Sequence, residues 1–199
     1  MLEGFIERQY WKGMSKKVEA GMLKEMQSRY PRIREENQHW ATDRPTAFNL
    51  MFASLVLASF QVMRERGVAD WEDILRYSLI ERTRKQQQLW MKLYLLIDRS
   101  PFRRIVWISK TKQVKHYGKE HFTHEIVKDT GRSYHLHIKK CFFFSFFRSN
   151  QALEVMPLFC AMDDVWGVLL KSGKHGVSFR RPQLLSKGDA HCFFEFEKL

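Results

Sequence analysis

The sequence predicts an α+β fold: a helical N-terminal half followed by an antiparallel β-sheet with helices packed on one face. Three observations predict it. Helix-start and helix-stop signals (a capping residue, a first-turn proline, a trailing glycine) recur up to about residue 117. From residue 121 the apolar pattern changes to the strict alternation of strands. The 199 residues, 44% of them hydrophobic, are enough to bury a substantial core and exclude a disordered chain.

Residues 1 to about 29 contain no proline and are rich in Glu, Lys, Met and Leu, so they read as helix, with Pro31 as the stop. RIREENQHWATD then reads as a polar connection. Asp43 or Thr42 caps the next helix, and Pro45 sits in its first turn, where the missing N–H costs nothing. That helix runs to Arg66, and Gly67 ends it. Its centre, LMFASLVLASF, is the longest apolar run and falls short of the ~20 residues that span a bilayer. It reads as a buried helix, and no membrane partner is expected.

Asp70 caps a third helix from Trp71 to about Asp98, with Asp73 in an acidic first turn that suits the dipole. Ser100-Pro101 repeats the cap-then-proline signal. A fourth helix therefore covers 101 to about 116, with Phe102, Ile105, Val106 and Ser109 on one face and Gly118 after it. Residues 121–128 alternate, 129–131 form a turn, and in SYHLHIKK, residues 133–140, Tyr134, Leu136 and Ile138 share one side: a hairpin. For the phenylalanine-rich run after Cys141, periodicity does not choose between helix and buried strand. Pro157 opens a helix carrying Cys160 to Leu170, ended by Gly173. Val177 to Arg181 and Ala190 to Glu197 read as strands, with Cys192, Phe194 and Phe196 on one face. The organisation is a helical region, 1–117, and an α+β region, 118–199, sharing a core.

The net charge of +12 raises the nucleic-acid question, but the basic residues are spread along the chain and no nucleic-acid-binding motif accompanies them. The charge reads as a surface that attracts anions, including an anionic small-molecule substrate. The first residues, MLEGFIERQYWKG, lack an apolar leader, and three cysteines, an odd number, argue for free thiols in a reducing cytoplasm. Met14, Met22 and Met26 form a stripe that suits core or self-association, so a homo-oligomer is an option.

Cys141, Cys160 and Cys192 are 19 and 32 residues apart, without zinc-finger spacing. Each alone reads as a small buried hydrophobe. Cys160 and Asp163, however, share a helix face at i and i+3. A carboxylate there can take the thiol's proton or orient a water, while raising the thiol pKa by repulsion. Pro157 places Cys160 in the first helical turn, where the dipole favours an anion, and Arg180 or His191 would supply a cation. His135 and His137, with His121 and His124 nearby, could hold a metal, but a solvated strand face is the expectation, with no metal or cofactor. Charged residues 81–85 read as a solvated face, and Trp71, Trp90 and Trp107 as helix packing.

The segments Cys141, PLFCAMD (157–163), FRR (179–181) and GDAHCFF (188–194) together resemble the L-2-amino-thiazoline-4-carboxylic acid hydrolase family. The likeness extends over about residues 70–197 and is specific over the last sixty or so. Phe193 stands where the family pattern has Asp, Arg-Pro-Gln-Leu-Leu follows Arg180 in place of a Thr-rich stretch, and no proline follows Cys141. The resemblance implies hydrolytic opening of a cyclic amidine, giving N-carbamoyl-L-cysteine. It implies Cys160 as nucleophile or substrate-contacting thiol, Asp163 as general base or orienter, and Cys192 and Cys141 lining the same pocket; Arg180 is the first candidate to hold the substrate carboxylate, and His191 is a further substrate-binding candidate. The rival reading is a non-catalytic module that binds a small planar or apolar ligand in an aromatic cavity.

Overall fold

The structure is a computed structural model describing residues 2–171, 173 and 175–199. It has the expected α+β layout, with helices through the first half and a four-stranded antiparallel sheet in the second. The first stretch is two helices, α1 (Leu2–Met14) and α2 (Ala20–Glu36). Pro31 lies inside α2 and does not stop it. Pro31 and Gln27, whose carbonyl loses its partner, both face solvent, where water can replace the missing bond.

Helix α3 (Arg44–Glu65) starts as its sequence demands. The Asp43 carboxylate accepts from Thr46 N at 2.9 Å, and Thr46 Oγ1 accepts from Asp43 N at 2.8 Å, a reciprocal cap. Gly67 follows at φ 64°, a conformation glycine adopts without cost. The α3 side chains Leu50, Met51, Ala53, Leu55, Val56 and Leu57 are essentially inaccessible, so this apolar helix is the centre of the helical core. Tyr10 of α1 donates to Ser59 at 2.9 Å, and Asn49 donates to the His116 carbonyl at 3.1 Å.

The third predicted helix divides into α4 (Trp71–Arg76), a π-helical turn (Tyr77–Glu81) and α5 (Arg82–Ile97). Asp70 makes no side-chain capping bond, and neither does Ser100 before α6 (Pro101–His116). Trp71 packs on Phe60, but Trp90 and Trp107 are 66% and 58% exposed and do not pack helices together.

Strands β1 (Thr123–Asp129), β2 (Ser133–Lys140), β3 (Val177–Arg180) and β4 (Cys192–Lys198) form the order β1-β2-β4-β3. On the inner face Tyr134, Leu136 and Ile138 pair with Phe196, Phe194 and Cys192. On the outer face His135 and His137 pair with Glu195 and Phe193. β1 is an edge strand exposed along its whole length and carries a register irregularity between Ile126 and Lys128, features that discourage edge-to-edge pairing. The phenylalanine run is helix α7 (Phe142–Ser149), with Phe142, Phe146 and Phe147 fully buried against the helical core.

Helix α8 (Met156–Lys171) packs on β3. Gly167 allows that contact, because a Cβ there would meet Phe179 Cε1 at 2.5 Å. The core has two centres. One joins α1–α4 to α7 and the first half of α8. The other joins α5 and α6 to the sheet's inner face and the end of α8. Residues on both sides of position 117 contribute to each.

Candidate functional site

The three cysteines come together. Cys141, between β2 and α7, Cys160 on α8 and Cys192 at the start of β4 all line one cavity of about 120 Å³ where the two core centres meet. That volume holds about four waters at liquid density, and is close to the size of a cavity that takes a single small ring. Phe122, Phe143, Phe144, Phe159 and Phe194 supply much of the remaining wall.

All three thiols are uncharged at neutral pH. Burial pushes Cys141 up to about 12, although the N–H groups of Phe144 and Phe143, at the start of α7, point to its sulfur and oppose the shift. Burial likewise pushes Cys192 up to about 11, against a 3.3 Å hydrogen bond from Leu185 N. Burial also raises Cys160, whose sulfur lies 3.2 Å from Ser186 Oγ. Cys160 is not in the first helical turn. α8 begins at Met156, one turn earlier, so the dipole that falls off within that turn gives its thiolate little support.

Asp163 faces the same cavity. Its side chain keeps 48% of its surface and lines a second cavity as well. Burial raises its pKa; Arg181 and Lys112 pull it back and Asp164 adds to the rise.

The cation in the cavity is Arg181 and not Arg180. Val177 and Phe179 of β3 point inward, so alternation turns Arg180 outward and Arg181 inward. Arg180 is 71% exposed and pairs with Glu195, away from the thiols. Arg181 is 5% exposed. It donates to Asp164 Oδ2 at 2.8 Å and to the Cys160 carbonyl at 2.7 Å, lies 3.5 Å from Asp163 Oδ2 and covers the Phe194 ring. Its Nε has no hydrogen-bond partner among the described residues, an unsatisfied buried donor beside the cavity.

His191 does not line the cavity either. Its ring stacks on His137 at 3.9 Å, on the outer face of the sheet. On that face His135 Nε2 lies 2.7 Å from Glu197 Oε1. With Glu195 it forms a group whose ligand atoms lie within 4.8 Å of one another and could hold a metal. His137 is not part of that group.

Sequence reasoning missed Arg181, Ser186 and Tyr117. The alternation of Val177 and Phe179 was the signal for Arg181. Tyr117, just after α6, stacks on Phe122 at 4.4 Å and lines the cavity beside Asp163. Burial keeps its phenol protonated. No local signal marks it, because its role comes from where α6 ends in space.

Residues 48–196 match the family model for L-2-amino-thiazoline-4-carboxylic acid hydrolase. No curated protein matches the chain. Among solved structures it is similar to the Fe(II) unliganded H-NOX protein from K. algicida, with 11% identity, a TM-score of 0.42, and 98% of this chain and 96% of that one covered. An alanine-to-glycine mutant of that protein gives a TM-score of 0.41 at the same identity and coverage.

Proposed function

Because the chain belongs to the L-2-amino-thiazoline-4-carboxylic acid hydrolase family, we propose that it is a hydrolase that opens a small anionic cyclic amidine, or a related C–N or C–S compound, in the thiol-lined cavity. One observation carries the reading: a carboxyl group with a raised pKa and a buried guanidinium with a free donor face one cavity. Arg181 binds the substrate carboxylate through its Nε. Asp163, as carboxylate, accepts a proton from water as the water oxygen bonds to the sp² carbon. Asp163 then gives a proton to the departing ring sulfur as the C–S bond breaks. The water oxygen ends as the new carbonyl, and its two hydrogens end on the ring nitrogen and the released sulfur.

Cys160 and Cys192, as neutral thiols, contact the substrate and shape the wall, with Cys141 behind them. Attack by water is favoured over attack by a thiol because burial disfavours every thiolate here.

Turnover of 2-amino-thiazoline-4-carboxylate by single variants tests this. Asp163→Asn is expected to lower kcat by about 10²-fold or more, the usual contribution of a general base. Cys160→Ala is expected to lower it less than about tenfold, far short of losing a nucleophile. The reverse ranking would replace the water route with a covalent one. A second reading, a non-catalytic binding module, draws on the phenyl-rich wall. It predicts that the native protein binds the compound without turning it over.

A further inference from the structure

A second cavity of about 110 Å³ adjoins the first, and Tyr117, Asp163 and Phe194 line both. The remaining wall of the second is apolar: Met91, Ile105, Ile108, Leu136, Trp166 and Phe196. Ser109 and Lys112 are its other polar members, and Lys112 places its ammonium over Trp166 at 5.7 Å.

Three elements run side by side from one cavity to the other. Along β4, Cys192 lines the first, Phe194 both and Phe196 the second. Along α8, Cys160 lines the first, Asp163 both and Trp166 the second, at the i, i+3, i+6 spacing of one helix face. Along β2, Ile138 lines the first and Leu136 the second. The path is about 13 Å long by strand rise and about 9 Å by helix rise. The far wall is firm, because Trp166 stacks on Phe179 at 5.1 Å and Phe196 on Phe179 at 4.8 Å.

We infer that the two cavities form one elongated slot, and that the natural substrate carries an apolar substituent in the second chamber beside the anionic head held at Arg181. The inference rests on the anion site proposed above, but not on hydrolysis. Asp163 stands at the junction, so the bond that reacts lies between head and tail. The Tyr117 hydroxyl is a neutral donor at the same point. A headgroup alone would leave the second chamber unfilled by the ligand. An apolar substituent there gains the transfer free energy of each buried methylene.

Binding of straight-chain carboxylates tests this without requiring any reaction. Hexanoate fits the first chamber alone; dodecanoate needs both. By protein-observed NMR titration below micelle-forming concentrations, dodecanoate is expected to bind at least tenfold tighter than hexanoate. Ile108→Phe fills the second chamber and is expected to bring that ratio to within twofold while leaving hexanoate affinity unchanged. Met91→Phe does the same from another wall and serves if the first variant melts early. No gain with chain length in the native protein overturns the inference, and so does a gain that persists in a folded variant. Loss of amidine hydrolysis with these ratios intact overturns only the reaction proposed above.

Discussion

The two faces of strand β4 treat acidic groups in opposite ways. On the inner face, around Cys192 and Phe194, burial drives acids toward their neutral forms, and Asp163 and all three thiols are raised. On the outer face acids are held ionised. Glu197 is lowered despite the upward push of its burial, because Ser133 and His135 hydrogen-bond to it. Across β2, Glu125 is lowered chiefly by its hydrogen bond to Lys139. The outer face is arranged for solubility and sheet stability. The inner face tolerates charges that cost stability, as sites arranged for chemistry do.

The largest effect that can break this contrast is packing. Phe196 and Phe193 are the same residue type on the same strand. Phe196 is buried against Tyr134, Trp166 and Phe179, while Phe193 lies half-exposed among His135, His137 and His191. Phe196→Ala is expected to cost about 3–5 kcal/mol in urea unfolding. Phe193→Ala is expected to cost under about 1.5 kcal/mol, since part of its surface is already wet. Equal costs would mean that the outer face is buried in solution.

Adjacent arginines give the next test. Removing Arg181 takes the cation from two part-exposed carboxylates, Asp163 and Asp164, and loses charge-assisted hydrogen bonds worth about 1.5–3 kcal/mol. Arg181→Ala is therefore expected to destabilise strongly and to abolish carboxylate binding. Arg180→Ala breaks an exposed pair worth at most about 1 kcal/mol and is expected to leave binding intact. Should binding follow Arg180, the anion site is misplaced.

The same pair shows what the sequence makes legible. Asp43 and Pro45, the hairpin and the shared face of Cys192, Phe194 and Phe196 depend on neighbours close in the chain, so local rules read them. Arg180 reads as the cation only from its nearness in sequence to the thiol segments, whereas the alternation of Val177 and Phe179 names Arg181 as the inward residue. Tyr117 and Ser186 join the cavity only through the docking of α6 and of the loop after β3, contacts that no local pattern encodes. The helical state of the phenylalanine run is likewise set by packing: Phe142, Phe146 and Phe147 fit one side of a helix against α3. Pro31 and the π-helical turn follow from which backbone groups meet solvent or a neighbouring helix, and that is a tertiary property.

A carboxylate pair sharpens the electrostatic side. Asp163 has a folded pKa above its unfolded value, so its ionisation opposes folding. That cost is absent below the ordinary carboxylate pKa, grows as pH rises through the interval up to the folded value, and is fully present above it. Asp163→Asn is therefore expected to raise Tm at pH 7 and to change it little at pH 3. Glu197 has a folded pKa below its unfolded value, so its contribution is present at neutral pH and lost as pH falls through the folded value. Glu197→Gln is expected to lower Tm at pH 7 without affecting turnover. If both substitutions shift Tm in the same direction at pH 7, the two faces do not differ as described.

The smallest expected effect is the reactivity of the thiols, and it bears most directly on mechanism. A nucleophilic cysteine needs a thiolate near neutral pH, which a depressed pKa supplies. Here Cys141 is pushed up to about 12 and Cys192 up to about 11, and Cys160 is raised as well. Alkylation by iodoacetamide at pH 7.5, followed by mass spectrometry of the peptides, is expected to be slower at all three than for free cysteine. The rate should climb only as pH passes the ordinary thiol range of about 8.5. Stability should fall over the same alkaline interval, because each raised thiol binds its proton more tightly folded than unfolded. Rapid labelling of Cys160 alone at pH 7.5 would show that the Ser186 hydroxyl and Arg181 guanidinium outweigh burial at that sulfur. Asp163 would then act on the Cys160 thiol and not on water.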